Sequence, residues 1–116
     1  MSKRKRAWFM LGIGLLLLLA ISIPSYRAVI LKSRESTLEV NLASMRGVIR
    51  QYTNDYRRPP QSLQDLVGAG YFRQLPMDPM TRSNSTWQVM TSQEGIMDVH
   101  SDSRLISSKG TAYNTW

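Results

Sequence analysis

His100 is the only histidine of the chain, and it lies two residues after Asp98 and two before Asp102. A histidine beside a carboxylate suits general acid–base chemistry, because imidazole titrates near neutral pH. A lone histidine on a strand is more often a surface residue, and the chain has no cysteine, no Gly-rich phosphate loop and no nucleophile elbow. We therefore expect no catalytic residue and no enzyme; an enzyme built on His100 and Asp98 is the remote alternative.

Carboxylates suggest a second kind of chemistry, the binding of a hard cation. Asp98 and Asp102, with Asp78 further away in the sequence, could supply oxygen ligands to calcium. Scattered carboxylates without a loop signature are a weak signal. We expect no cofactor, with calcium at Asp98 and Asp102 as the one exception held open.

The net charge of +7 comes from 15 Lys and Arg against 8 Asp and Glu in 116 residues. Four of these cations are consecutive, Lys3, Arg4, Lys5 and Arg6, and without them the balance is an ordinary +3. A basic cluster directly before an apolar run is typical of membrane topology rather than of phosphate binding. We expect no nucleic-acid partner, and a chain this short leaves little room for a small-molecule pocket.

The apolar run from Ala7 to Pro24 is either a membrane-spanning anchor or part of a cleaved signal peptide. As a helix it is about 27 Å long at roughly 1.5 Å per residue, close to a hydrocarbon core of about 30 Å. A cleaved signal peptide is the alternative, but Ala20 and Ser22 offer only a poor cleavage site. The prediction is a retained single-pass anchor with a cytoplasmic N-terminus, set by the basic cluster.

Beyond the anchor, apolar residues recur at steps of four and three, as on one stripe of a helix. We expect this stripe to pack on the chain's own small domain, a coiled-coil seam being the alternative. Its members are Leu38, Leu42, Met45, Ile49, Tyr52 and Tyr56. Val29, Ile30 and Leu31 precede it with too little chain left to cover them, so they are the candidates for contact with a partner helix.

Two elements complete the expected domain. Pro59 ends the long helix, and a short second helix follows with Ser62 as its N-cap. A β-hairpin is predicted over 86–91 and 96–100 with Gly95 in its turn. Strict alternation would put Ile96, Asp98 and His100 on one face and Met97 and Val99 on the other. In the Ser-rich tail, Tyr113 and Trp116 could hold the chain end against the domain.

The order of these parts resembles the pseudopilins of bacterial type II secretion, particularly the major pseudopilin type. The resemblance rests on Pro24, the Pro-x-Ser-Leu-x-Asp-Leu run at 60–66, Asp78-Pro79, Trp87 and the terminal Gly-Thr-x-Tyr-x-x-Trp at 110–116. It implies an α+β, pilin-like fold: a long N-terminal helix with a small head of one short helix and a small antiparallel sheet. It also implies a non-enzymatic subunit of the inner membrane whose stems pack with those of other pseudopilins or pilins in a periplasmic filament for protein export.

The expected organisation has four segments: a cytoplasmic basic leader at 1–6, a transmembrane helix at 7–24, an amphipathic stem at 25–58 and a periplasmic head at 59–116. The leader departs from the family. Aligned on Pro24, the family's cleavage glycine is missing, and Ala7 stands where its pairing glutamate would be. A type IV pilus minor pilin and a membrane-anchored periplasmic binding module that does not assemble are the alternative functions.

Overall fold

A computed structural model of the protein describes residues 2–116 and has the expected α+β class. Its elements are α1 (Lys3–Tyr56), α2 (Gln64–Gly68), β1 (Gln88–Thr91), β2 (Ile96–His100) and a 3₁₀ helix (Tyr113–Thr115). The chain divides into two compact units, the first ending at Ser33 and the second covering Arg34–Trp116. The boundary between these two units falls after Ser33, inside α1.

The first unit is helical and its apolar side chains are uncovered. Between Trp8 and Ile23 the large hydrophobic side chains are 43% to 73% exposed. The most apolar 18-residue window of α1 has a mean hydropathy of 2.2, and none of it is buried within the protein. By length and composition, α1 can cross a membrane.

Pro24 lies inside α1, which continues past it without a break to Tyr56. The Ser22 hydroxyl donates to the Leu18 carbonyl at 2.8 Å, and the Ser25 hydroxyl donates to the Ile21 carbonyl at 3.2 Å. Both hydroxyl groups thus donate a hydrogen bond to a backbone carbonyl of the preceding helical turn. This pairing is what a polar group within an apolar segment requires.

The second unit is built on the apolar stripe of α1. Five of the six expected stripe residues belong to its buried core: Leu38, Leu42, Met45, Ile49 and Tyr52. Tyr56 does not belong to it: its side chain is 49% exposed and stacks on Tyr52 with ring centroids 4.4 Å apart. Tyr56 lies on the last helical turn, where too little of the head remains to cover it. The core is completed by Leu66, Trp87, Ile96, Val99 and Tyr113.

Helix α1 ends at Tyr56, and the next residue, Arg57, has a φ of 60°. The second helix starts later than expected, at Gln64, with Leu63 at the cap position and no side-chain cap. Ser62 is therefore not the N-cap. Instead, the Asp65 carboxylate accepts from the backbone N–H groups of Gln61 at 2.8 Å and Ser62 at 3.3 Å, which fixes the approach to α2.

The hairpin of β1 and β2 is antiparallel, as predicted, but its register contains a bulge. Thr91 pairs with Ile96 and Met90 pairs with Asp98, so Met97 is an extra residue on β2. Ile96 and Val99 are consequently both buried although they are three positions apart, and strict alternation was wrong. Gly95 is required in the turn, because a Cβ there would lie 2.6 Å from the Pro60 carbonyl oxygen.

Candidate functional site

The first feature with functional potential is the exposed apolar surface of the first unit. Val29 is 65% exposed and Leu31 is 37% exposed, while Ile30 is partly covered. Together with the apolar run before Pro24, they make a surface far more apolar than a water-facing helix presents. Chemically, such a surface can bury itself in lipid or against other helices, and it carries no catalytic group.

The basic cluster lies at the beginning of the same helix. Lys3, Arg4, Lys5 and Arg6 are all exposed, and the first turn of α1 contains no acidic residue. Cations at a helix N-terminus are unfavourable for the helix dipole, so they do not stabilise α1 itself.

The sequence-predicted pair Asp98 and His100 lies in a polar cluster with Arg46 of α1. The Arg46 guanidinium donates to Asp98 Oδ1 at 2.7 Å, to the Val99 carbonyl at 2.9 Å and to the Trp116 carbonyl at 2.7 Å. His100 Nε2 lies 3.4 Å from Asp98 Oδ2. The cluster therefore joins α1, β2 and Trp116, the residue that follows the 3₁₀ helix.

The charges in this cluster favour a structural role. Partial burial raises the pKa of Asp98, but the hydrogen bond from the Val99 N–H and the hydrogen bond and positive charge of Arg46 outweigh it, so that its pKa is lowered. Asp98 is thus held as a carboxylate, which does not suit a general acid. The His100 ring lies beside the Trp116 carbonyl, the Arg46 guanidinium, the Asp98 carboxylate and the Met90 sulfur, so it is tied into the contacts within the head.

The two calcium candidates do not share a metal site. Asp98 is occupied by Arg46, and Asp102 Oδ1 accepts from Gln88 Nε2 at 2.9 Å. In the part of the chain that the structure describes, no three His, Asp or Glu side chains are grouped so as to hold a metal ion. Because both carboxylates are already engaged by donor side chains of the protein, Asp98 and Asp102 do not fit a calcium site.

A polar site that sequence reasoning missed lies at Glu35, which is only 5% exposed. Its carboxylate accepts from the Ser108 N–H at 2.7 Å, the Ser108 hydroxyl at 2.6 Å and the Tyr113 hydroxyl at 2.8 Å. Burial raises the pKa of Glu35, but these hydrogen bonds together exceed that effect and lower it. Burial and the bond to Glu35 raise the pKa of Tyr113 to about 12.

The signal for this site was present in the sequence. Glu35 lies four residues after Leu31 and three before Leu38, so it occupies the apolar stripe of α1. A charged residue on a buried stripe requires a polar partner, since a buried unpaired charge is costly. The sequence could thus have indicated that Glu35 is paired, although its partners 73 and 78 residues away could not be named.

A second buried carboxylate, Asp78, is fully covered. Its oxygens accept from the Met80 N–H at 2.8 Å and from the Ser101 hydroxyl at 2.6 Å. This pairing fixes the loop before β1 to the residue that follows β2, and it assigns the Asp78-Pro79 element a structural role.

An open hollow of about 360 Å³ lies beside the Arg46 cluster. It lies in the second unit and is lined by Glu39, Leu42, Ala43, Arg46, Lys109 and Trp116. Its volume is at the small end of the range for ligand sites.

The chain matches no protein-family model, no curated protein and no solved structure.

Proposed function

We propose that this protein is a pseudopilin-like structural subunit, or accessory, of a type II secretion machine. In this proposal α1 anchors the chain in the bacterial inner membrane with its N-terminus in the cytoplasm and its head in the periplasm. The observation that carries the proposal is the exposed apolar surface of the first unit, which continues past Pro24 to Val29 and Leu31. The arrangement of elements expected from the pseudopilin resemblance adds to it.

The proposed mechanism is helix packing. Side chains between Ala7 and Pro24 would lie in lipid, where association depends on close packing and not on the hydrophobic effect. Val29, Ile30 and Leu31 follow the apolar run, and their burial against a neighbouring helix would contribute up to about 1.5 to 3 kcal/mol for each fully covered side chain. The head contributes a small folded body with its own hydrophobic core.

The residues at the start of the chain limit how closely stems of this kind could pack side by side. Ala7 cannot form the carboxylate–amine pair that the family resemblance leads us to expect, and the four neighbouring cations would repel those of an adjacent stem. A subunit of this kind fits a filament end, or an accessory position beside the filament, better than the interior of a long filament.

Cysteine crosslinking in membranes tests the proposal directly, because the chain has no cysteine of its own. We expect Val29→Cys to give crosslinked dimers, or crosslinks to a pilin-type stem. Met97→Cys is the matched control, since Met97 is also well exposed, at 60%, but lies on β2. A purely monomeric pattern for both variants would exclude assembly through the stem.

The alternative of a membrane-anchored binding module is favoured by one observation, the hollow beside Arg46. In that case Val29→Cys would stay monomeric while Ala43→Trp, which fills the hollow, would abolish capture of a periplasmic ligand. The minor pilin of a type IV pilus would give the same crosslinks as a pseudopilin. The identity of the crosslinked neighbour distinguishes the two systems.

A further inference from the structure

Two adjacent aliphatic side chains are exposed on the loop that connects β2 to the 3₁₀ helix. Leu105 is 66% exposed and Ile106 is 65% exposed, and neither belongs to the hydrophobic core. Two such neighbours on one loop make a small apolar tip, which we call the 105–106 tip. Two aliphatic neighbours exposed on one loop form a small apolar surface that an environment outside the head can cover.

The 105–106 tip is held in place by backbone hydrogen bonds. The Leu105 carbonyl accepts from the Tyr113 N–H at 3.0 Å, and Ile106 forms a bridge with Ala112. The following turn closes with the Ser107 N–H on the Thr111 carbonyl at 2.8 Å. Ser108 is fixed in turn by the buried carboxylate of Glu35. The tip is thus preorganised, which lowers the entropic cost of inserting it into another medium.

Cations flank the 105–106 tip. Arg104 directly precedes it, is exposed, and has no carboxylate within 4.0 Å among residues 2–116. Lys109 follows three residues later with its side chain 66% exposed, in an ion pair with Glu39 at 2.9 Å. Aliphatic side chains between cations fit the boundary of an anionic bilayer, where acyl chains lie beneath negative headgroups.

We infer that the 105–106 tip docks on the membrane surface, with Leu105 and Ile106 in the headgroup–acyl boundary and Arg104 on anionic lipid. The length of the chain permits this contact. Only residues 25–34 separate Pro24 from Glu35, a span of at most about 40 Å even when fully extended. The inference depends on the membrane anchor of the proposed function, and it does not depend on assembly.

The test uses the full chain reconstituted in vesicles of phosphatidylglycerol and phosphatidylcholine. Ile106→Cys is labelled with an environment-sensitive fluorophore, and lipids carrying a nitroxide at the headgroup act as quenchers. Met97→Cys is the matched control, exposed to 60% against 65%. We expect quenching at position 106 to exceed that at 97 by about threefold, because only the tip would reach the interface. Adding Arg104→Glu should reduce the quenching at 106.

Equal quenching at 106 and 97, or none at either position, would overturn the inference. Crosslinks between copies through Ile106→Cys in detergent, without quenching in vesicles, would show that a second copy covers the tip and would overturn it as well. Unchanged quenching in the Arg104→Glu variant would contradict the role of anionic headgroups. The Val29→Cys crosslinks report on assembly separately, so failure of one proposal is distinguishable from failure of the other.

Discussion

The two parts of α1 use apolar residues in opposite ways. In the first unit nearly every residue from Ala7 to Ile23 is apolar, and the large side chains are exposed around the whole helix. In the second unit apolar residues form one stripe, and Leu38 and Met45 are fully buried. A helix that is apolar all round needs apolar surroundings, whereas a single stripe needs one covering surface. The head supplies that surface within the chain, and for the first unit it must come from outside.

The largest expected effect separates buried from exposed positions. Leu42→Ala should lower the free energy of unfolding of the head by about 2 to 5 kcal/mol, because it opens a cavity at a side chain that is 2% exposed. Urea denaturation in detergent, followed by tryptophan fluorescence, measures this change. Val40→Ala is the matched control on the same helix, since Val40 is 63% exposed, and Val29→Ala tests the first unit. A loss at Val29 equal to that at Leu42 would abolish the distinction between the two units.

A smaller loss is expected at the polar position of the stripe. Glu35→Ala should destabilise the head by about 2 to 3 kcal/mol, because it leaves the Ser108 and Tyr113 donors without their acceptor. The control is Glu39→Ala, whose exposed ion pair with Lys109 should contribute at most about 1 kcal/mol. The same denaturation experiment compares them. Equal effects of the two variants would mean that Glu35 acts only as a surface charge.

The smallest effect is a dependence of stability on pH. The ordinary pKa values are 4.5 for Glu35 and 3.8 for Asp98, and both are lowered in the folded head. The unfolded chain therefore binds more protons below these values, so the contribution of both groups is complete above them and is lost as the pH falls through the lowered pKa values. Urea midpoints measured from pH 6 to pH 3 should decline, with a shallower decline in Glu35→Gln. An identical slope in that variant would contradict the role of Glu35.

Periodicity in the sequence predicted the helix face and the strands, because the spacing of apolar residues depends only on the element that contains them. The steps of four and three from Leu38 to Tyr52 select one helical face, and the two prolines after Arg58 end the helix. The hairpin followed from β-rich runs on either side of Gly95. The bulge at Met97 could not be predicted in this way, because it depends on the pairing between strands and not on either strand alone.

The candidate sites were predictable only as residue types. Asp98 and His100 were identified as neighbours on a strand, but their main partner, Arg46, lies 52 residues before Asp98. That contact changes the interpretation of Asp98 from a metal ligand to one half of an ion pair. Ser108 and Tyr113 became visible as partners of Glu35 only when the loop after β2 was placed against α1.

By itself, the sequence determined the apolar run, its basic flank, the stripe on α1 and the positions where helices must stop, because these follow from local chemistry and spacing. The tertiary structure alone decided which carboxylates are buried and what satisfies them. It also decided that Tyr56 is left out of the core, and that Leu105 and Ile106 face outward on an ordered loop. Such outcomes depend on contacts between residues far apart in the chain, and no local pattern encodes those contacts.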